Sequence, residues 1–264
     1  MKVLVTGATG HSGRHVVAAL NTDDVRVLVR DPTKAPAGAD VVVGDIRDPA
    51  QAAENIDAVY LIWPFFTADG IEQAVKPFTD KKIVYLSAMS AEDGGVWGDV
   101  EAAIRSVTDD WTFLRVTGLA TNTLGWAAQA ENGVVKGPYG QARRSLVHER
   151  DVADMAVKAL TGDHRQEIYL VTGPEALRQA EQAAVIGAAI GKPVRWEEQP
   201  IAEAKTQLAE HLGEEFAAGA LAHWASLVDD PEPVSLDVAN VTGHPARPFE
   251  EWAREHFSRA EPPA

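Results

Sequence analysis

The sequence predicts an α/β fold: a parallel sheet doubly wound with helices on both faces, followed by a small, mostly helical carboxy-terminal lobe. Three observations carry the prediction. Short β-branched runs alternate with segments of helical spacing, the order that builds parallel sheets. The earliest run, Lys2-Val3-Leu4-Val5-Thr6, passes straight into Gly7, Gly10 and Gly13. Arg14 to Leu20 then shows helical spacing, with Val16, Val17 and Leu20 apolar.

Strand, glycine turn and helix form the context of a dinucleotide site in a Rossmann-type sheet. Gly7 permits the tight turn, Gly10 lets the backbone approach a pyrophosphate, and Gly13 lets the helix pack closely on the strand. Thr9, His11 and Ser12 fill the rest of the turn, whose N–H groups and helix dipole favour phosphate. The spacing is G-x-x-G-x-x-G rather than G-x-G-x-x-G. A second strand, Val25 to Val29, ends at Arg30, where the ribose-recognising acid of an NAD site would lie. A positive side chain there suits a 2′-phosphate. NADP(H) is therefore the favoured cofactor, and Asp31 next door keeps NAD(H) open.

At 264 residues, with 45% hydrophobic and 24% charged, the chain can bury a sizeable core. One domain is expected over 1–264. Within it, 1–130 and 147–172 form the dinucleotide core, 131–146 and 173–258 a substrate lobe, and 259–264 a frayed tail. Cysteine is absent, which removes disulfides, thiolate metal sites and cysteine nucleophiles. The formal charge of −15 argues against nucleic acid and against anionic membrane surfaces. No apolar run approaches the ~20 residues that a bilayer span needs. The first residues run directly into a strand, so no signal peptide is expected and the cytoplasm is the default location. The histidines are scattered, and no metal-ligand cluster is expected. Monomer and homodimer both stay open.

Val5 to Gly13 (Val-Thr-Gly-Ala-Thr-Gly-His-Ser-Gly), Val29 to Pro32 (Val-Arg-Asp-Pro) and Gly44-Asp45 together resemble the NmrA-like branch of the atypical short-chain dehydrogenase/reductases. Trp111 to Arg115, Asp151-Val152-Ala153 and Tyr169 to Leu177 resemble later segments of the same family, so the match covers most of the chain. The resemblance implies an NAD(P)H-dependent oxidoreductase. It sets Asp45 and Ile46 against the adenine, after a third strand at Val41 to Val43. It sets Val116, Thr117 and Gly118 beside the nicotinamide, where the family often has a proline.

The remaining elements follow in order. Pro49 to Asn55 reads as a short helix, with Pro in the first turn. Ala58 to Ile62 is the fourth strand and runs into Trp63-Pro64-Phe65-Phe66. Ligands lie at the carboxyl edge of a parallel sheet. Leu61, Ile62 and Trp63 are therefore expected along the cofactor, and Phe65 and Phe66 in a substrate wall. Ile71 to Phe78 is a helix and Lys82 to Leu86 the fifth strand, followed by Ser87, Ala88 and Met89, which are placed at the cofactor. In ordinary short-chain reductases a Ser here orients the carbonyl, and a Tyr with Lys four residues later delivers the proton. That pair is missing. Pro64, Met89, Arg143 and Gly173 stand four residues after Tyr60, Tyr85, Tyr139 and Tyr169. Glu101 to Ser106 reads as the helix that normally carries the pair. Ser87 is left to orient substrate, and the proton comes from water or from the substrate's own hydroxyl, with Tyr139, the tyrosine expected on a loop, as the alternative donor.

Trp111 to Arg115 is the sixth strand, Leu119 to Gln129 a helix containing Asn122 and Trp126, and Gly133 to Tyr139 a hairpin. Asp151 reads as a helix N-cap. Ile168 to Val171 is a late strand, and Glu175 to Ile190 a helix ended by Gly191. Lys192 to Trp196 is a further strand, and Ile201 to Leu212, Phe216 to Leu227 and Pro248 to Phe257 are helices. Asp229 to Pro233 is an acidic, proline-rich linker. Trp63, Phe65, Phe66, Met89, Trp97, Trp126 and Tyr139, with Asn122, suit a flat apolar substrate. The expected function is NAD(P)H-dependent reduction of an aromatic, quinone-like or polyketide small molecule, in support of a tailoring or hydroxylation step. The rival is an NADP-binding redox sensor without turnover. A third reading is an isomerase or lyase that uses bound cofactor.

Overall fold

Runs such as Val-Leu-Val-Thr and Val-Arg-Val-Leu-Val carry too little polar surface for a solvent face. They lie buried inside a parallel sheet in the computed structural model, which describes residues 1–258 apart from the side chains of Thr22 and Leu212. The expected tail at 259–264 lies outside the described residues. In chain order the first elements are β1 (Val3–Thr6), α1 (Gly13–Ala19), β2 (Val25–Val29), β3 (Asp40–Val43), β4 (Ala58–Leu61), α2 (Ile71–Val75), β5 (Lys82–Ala88), α3 (Gly95–Arg105) and β6 (Trp111–Val116). Then come α4 (Ala127–Glu131), β7 (Val134–Gly137), β8 (Arg143–Arg144), α5 (Glu149–Thr161), β9 (Glu167–Val171), β10 (Leu177–Arg178) and α6 (Gln179–Ala189). The last are β11 (Arg195–Glu198), α7 (Ile201–Leu212), α8 (Glu214–Ser226), α9 (Asp237–Thr242) and α10 (Phe249–Phe257).

The chain divides into two compact units. One comprises Met1–Thr117, Glu149–Val171 and Leu236–Pro245. The other comprises Gly118–His148, Thr172–Ser235 and the residues from Ala246 onward. The stretch after Thr117, expected with the nucleotide core, thus groups with the second unit, and α9 with the first.

In the first unit seven parallel strands run in the order β3-β2-β1-β4-β5-β6-β9. Strand order reverses between β1 and β4, where Val3 pairs with both Val25 and Ala58. That reversal opens a crevice at the carboxyl ends of β1 and β4. The core behind it includes Leu4, Leu28, Ile46, Leu61, Trp63, Phe78, Tyr85 and Phe113. Val152, Met155, Ala156, Ala159 and Leu160 of α5 are buried, as their spacing requires. Asp151 is not the N-cap of that helix. It is the third residue within α5 and is fully buried. Pro49 to Asn55 forms turns instead of a helix, and Asn55 closes them in the left-handed region at φ 54°. The helix at Ile71 gives way to a 3₁₀ turn at Lys76–Phe78, where Pro77 has no N–H for the ladder.

In the second unit β7 is not half of a hairpin. It pairs in parallel with β11, register Val134 to Arg195, because Gly137-Pro138 ends the strand and no adjacent run can return. β8 and β10 form a short antiparallel pair. The chain from Ala120 to Trp126 is 3₁₀, consistent with two threonines and a glycine, all weak helix formers. Ala130, Val135, Leu146, Ala183, Ile186, Phe249 and Trp252 form this unit's core. The Asp229–Pro233 segment is more than a solvated linker, since Glu232 within it is buried. Among the described residues no helix is long and apolar enough to cross a membrane.

Candidate functional site

The glycine turn is built as a phosphate cradle. Gly7 holds φ +64°, and a Cβ there would lie 2.9 Å from the Ile62 side chain. A Cβ on Gly13 would lie 2.2 Å from the Gly7 carbonyl, so only glycine lets α1 start this close to β1. The Gly10 N–H donates to the Gly7 carbonyl at 2.8 Å and closes the turn. Thr9, Gly10 and His11 are exposed, while Ser12 is buried with its hydroxyl 3.1 Å from the Tyr60 hydroxyl. The backbone N–H groups of His11, Ser12 and Gly13 make no hydrogen bond among the described residues, and the first turn of α1 holds no acidic side chain. This is the donor set a pyrophosphate needs. The residues therefore fit a dinucleotide.

At the end of β2, Arg30 is exposed. The Asp31 carboxylate accepts from the Thr33 hydroxyl at 2.6 Å and the Thr33 N–H at 3.0 Å. These bonds, the hydroxyl first, hold its carboxyl below the usual carboxylate range. Asp31 is thus tied into its own turn, beside the exposed Arg30. Asp45 likewise accepts the Arg47 N–H at 2.9 Å. Ile46 departs from expectation: it is buried among the core residues instead of lying open to an adenine face.

The end of β4 also departs. Leu61 and Trp63 belong to the core, and the Trp63 indole N–H donates to the Thr67 carbonyl at 2.8 Å. The apolar surface of both is covered by that core. Ile62 is half-buried against Gly7, and its N–H donates to the Thr6 hydroxyl at 2.7 Å. Phe65 stands edge-on to Trp63, 4.9 Å between ring centres, with the Arg47 guanidinium 3.6 Å over its face. Phe66 is exposed. Met89, Ala88, Trp97, Val116, Thr117 and Gly118 are half-buried. Trp97 packs against the core from α3.

Ser87 lies inside β5 and is buried. Its hydroxyl donates to Glu101 Oε1 at 2.7 Å. Arg115 Nε donates to the same oxygen at 3.0 Å, and Arg115 Nη2 to Glu101 Oε2 at 2.8 Å. The single proton of Ser87 is committed to a carboxylate, so an orienting role is left only its lone pairs. The sequence signal that was passed over is Glu101 itself, an acid on the apolar stripe of α3 beside Val100, Ala103 and Ile104.

Three tyrosines are poor acids where they stand. Burial pushes the Tyr60 phenol well above its ordinary range. Burial, and then the Glu101 charge, do the same for Tyr85. Burial, then Glu167 and Asp237, raise Tyr169, whose hydroxyl lies 2.7 Å from His164 Nδ1. Tyr139, in the second unit, is half-buried and held left-handed at φ 56°. Its N–H donates to Glu198, and its carbonyl accepts from Ala142 N at 2.8 Å and Gln179 Nε2 at 3.1 Å. In that unit Asn122 is exposed, and Trp126 meets Trp196 edge-on at 5.5 Å.

Two groupings that the sequence scatters come together within single units. His148, Glu251 and Glu255 form one, and Asp151, Asp154 and His244 the other, with ligand atoms within 4.8 Å.

The family model described as NAD(P)H-binding matches residues 7–163. The chain is 35% identical to a (4-alkanoyl-5-oxo-2,5-dihydrofuran-3-yl)methyl phosphate reductase of Streptomyces griseus, over 96% of this chain and 97% of that one. It is 31% identical to an NAD(P)H azoreductase of Xenophilus azovorans, again over 96% and 97%. In fold it matches an NADPH-dependent quinone oxidoreductase of Escherichia coli solved with NADPH: TM-score 0.79, 22% identity, 97% of this chain and all of that one. The cofactor these comparisons support is NADP(H), with NAD(H) as the alternative. The chain belongs to the NAD(P)H-binding family, as an oxidoreductase of the NmrA-like, atypical short-chain dehydrogenase/reductase type.

Proposed function

We propose that the chain is an NADPH-dependent reductase of a flat, conjugated small molecule, aromatic, quinone-like or polyketide-derived, working in the cytoplasm. The observation that carries the proposal is the glycine turn, whose open N–H groups and close β1–α1 approach suit a pyrophosphate. When bound, NADPH supplies the hydride for the reduction. The turn residues Gly7, Thr9, Gly10, His11, Ser12 and Gly13 hold the phosphates, Arg30 neutralises the 2′-phosphate, and Ile62 lies along the dinucleotide. Val116, Thr117 and Gly118 border the nicotinamide. Phe65 and Met89 border the substrate.

The missing Tyr–Lys pair shapes the substrate class. A simple ketone yields an alkoxide, which needs a strong proton donor. A conjugated acceptor spreads the incoming charge, so water suffices. Relatives named for azo and oxo-dihydrofuran substrates fit that chemistry. The test is NADPH oxidation with a panel of quinones, azo dyes and acyl-butenolide phosphates. Saturable turnover with at least one conjugated acceptor, and none with simple ketones, is expected. The sensor reading draws on the commitment of Ser87 to Glu101. It predicts tight NADPH binding with no turnover across the same panel.

A further inference from the structure

We infer that Tyr60 is a positioning residue for the cofactor: its phenol pins Ser12, and with it the open N–H groups of the glycine turn. The inference rests on the NADPH site proposed above and adds the residue that holds that site in shape. Tyr60 lies within β4 and is fully buried. Its hydroxyl stands 3.1 Å from that of Ser12, which is 3% exposed. Neither hydroxyl has another partner among the described residues. Both residues belong to the first unit, as does the whole turn.

Ser12 stands where α1 begins, and a serine there commonly turns its oxygen onto the helix's own N–H groups. Here the side chain makes no such bond, and its hydroxyl is spent on Tyr60. The backbone of Ser12 is already helical, at φ −83° and ψ −40°. Its carbonyl accepts His15 N at 3.0 Å and Val16 N at 3.1 Å. Ser12 is therefore fixed at its carbonyl by the helix and at its side chain by β4. Its own N–H, with those of His11 and Gly13 on either side, is left unbonded in a set position. Donors arranged before the ligand arrives lose little freedom when it binds.

β4 holds the other end of the turn as well. The Thr6 hydroxyl donates to the Tyr60 carbonyl at 3.1 Å and accepts the Ile62 N–H at 2.7 Å. Thr6 precedes Gly7 and Ser12 precedes Gly13, so two hydroxyls tie both ends of the turn to one strand. Tyr60 serves both ties, one through its backbone and one through its phenol. A phenylalanine at 60 keeps the first tie and cuts only the second. The contribution of the phenol is geometric, and no proton moves.

The test is a double-mutant cycle of Y60F, S12A and Y60F/S12A, read by NADPH fluorescence titration and by urea unfolding. Each single variant leaves one buried hydroxyl without its partner and should lose stability. The double variant removes both hydroxyls and should unfold close to the wild type, so it reads the affinity even if a single variant fails to fold. Affinity should not follow stability. All three variants should bind NADPH about tenfold more weakly than the wild type. The double variant should bind no more weakly than Y60F, because the two side chains act as one unit. A double variant of wild-type stability that binds NADPH within about twofold of the wild type would overturn the proposal alone, since the bond would then serve only the fold. So would a double-variant loss equal to the product of the two single losses, which would show that Tyr60 does not act through Ser12. A wild-type protein that does not bind NADPH would overturn the nucleotide site, and this proposal with it.

Discussion

Arg30 and Asp31 divide the cofactor question between two adjacent side chains. Asp31 spends its carboxylate on Thr33, while Arg30 stands exposed at the strand end. A charge-assisted contact to a 2′-phosphate contributes about 1.5–3 kcal/mol. Arg30→Ala should therefore weaken NADPH by that amount and leave NADH nearly unchanged, measured by fluorescence titration. Equal affinities for the two cofactors in the unaltered protein would count against it. Tyr139 poses the parallel question for the proton. If water is the donor, Tyr139→Phe should turn over at close to the normal rate. Loss of a true general acid costs about 100- to 10,000-fold, so a drop of that size with NADPH still bound would make Tyr139 the acid.

Between elements, Glu101 ties α3 to β5 through Ser87 and to β6 through Arg115. Both its oxygens are engaged and its side chain is 1% exposed. Removing one partner of a buried charge pair leaves the other uncompensated. Glu101→Ala should cost about 3 kcal/mol in urea unfolding. NADPH affinity measured below the transition should change little, because the glycine turn lies on β1 and α1. A variant that unfolds like the wild type would show that the network is replaced by water. This element was only partly legible in the sequence. The strand, its end and the helix could be placed from periodicity, but the direction of the Ser87 hydroxyl depends on Glu101, 14 residues away.

Across the whole molecule the buried phenols set a limit at high pH. Tyr60, Tyr85 and Tyr169 all have pKa values raised by burial. A group raised in the folded state adds stability that is complete below its unfolded pKa, about 10 for tyrosine, and is lost as pH rises above it. Stability should hold up to about pH 10 and fall beyond it. The Tyr85 hydroxyl is buried with no hydrogen-bond partner among the described residues. Tyr85→Phe should thus gain about 1 kcal/mol at neutral pH and soften the alkaline loss. An unchanged alkaline midpoint in this variant would remove Tyr85 from the account.

By itself the sequence determined the features that neighbouring residues fix together. The strand–turn–helix at Val3 to Ala19 depends on a β-branched run and on glycines needed where a Cβ would strike Gly7 or Ile62. The break at Gly191 and the absence of a Tyr-x-x-x-Lys pair were readable for the same reason. Tertiary structure decided which side chains share a space. Ile46, Leu61 and Trp63 went to the core because burying their apolar surface outweighs leaving it for a ligand. β7 took a parallel partner from beyond α6, where the sequence offered a nearby turn. Arg144 met Glu232 across 88 residues, and a buried acid accepts only a partner that packing brings to it.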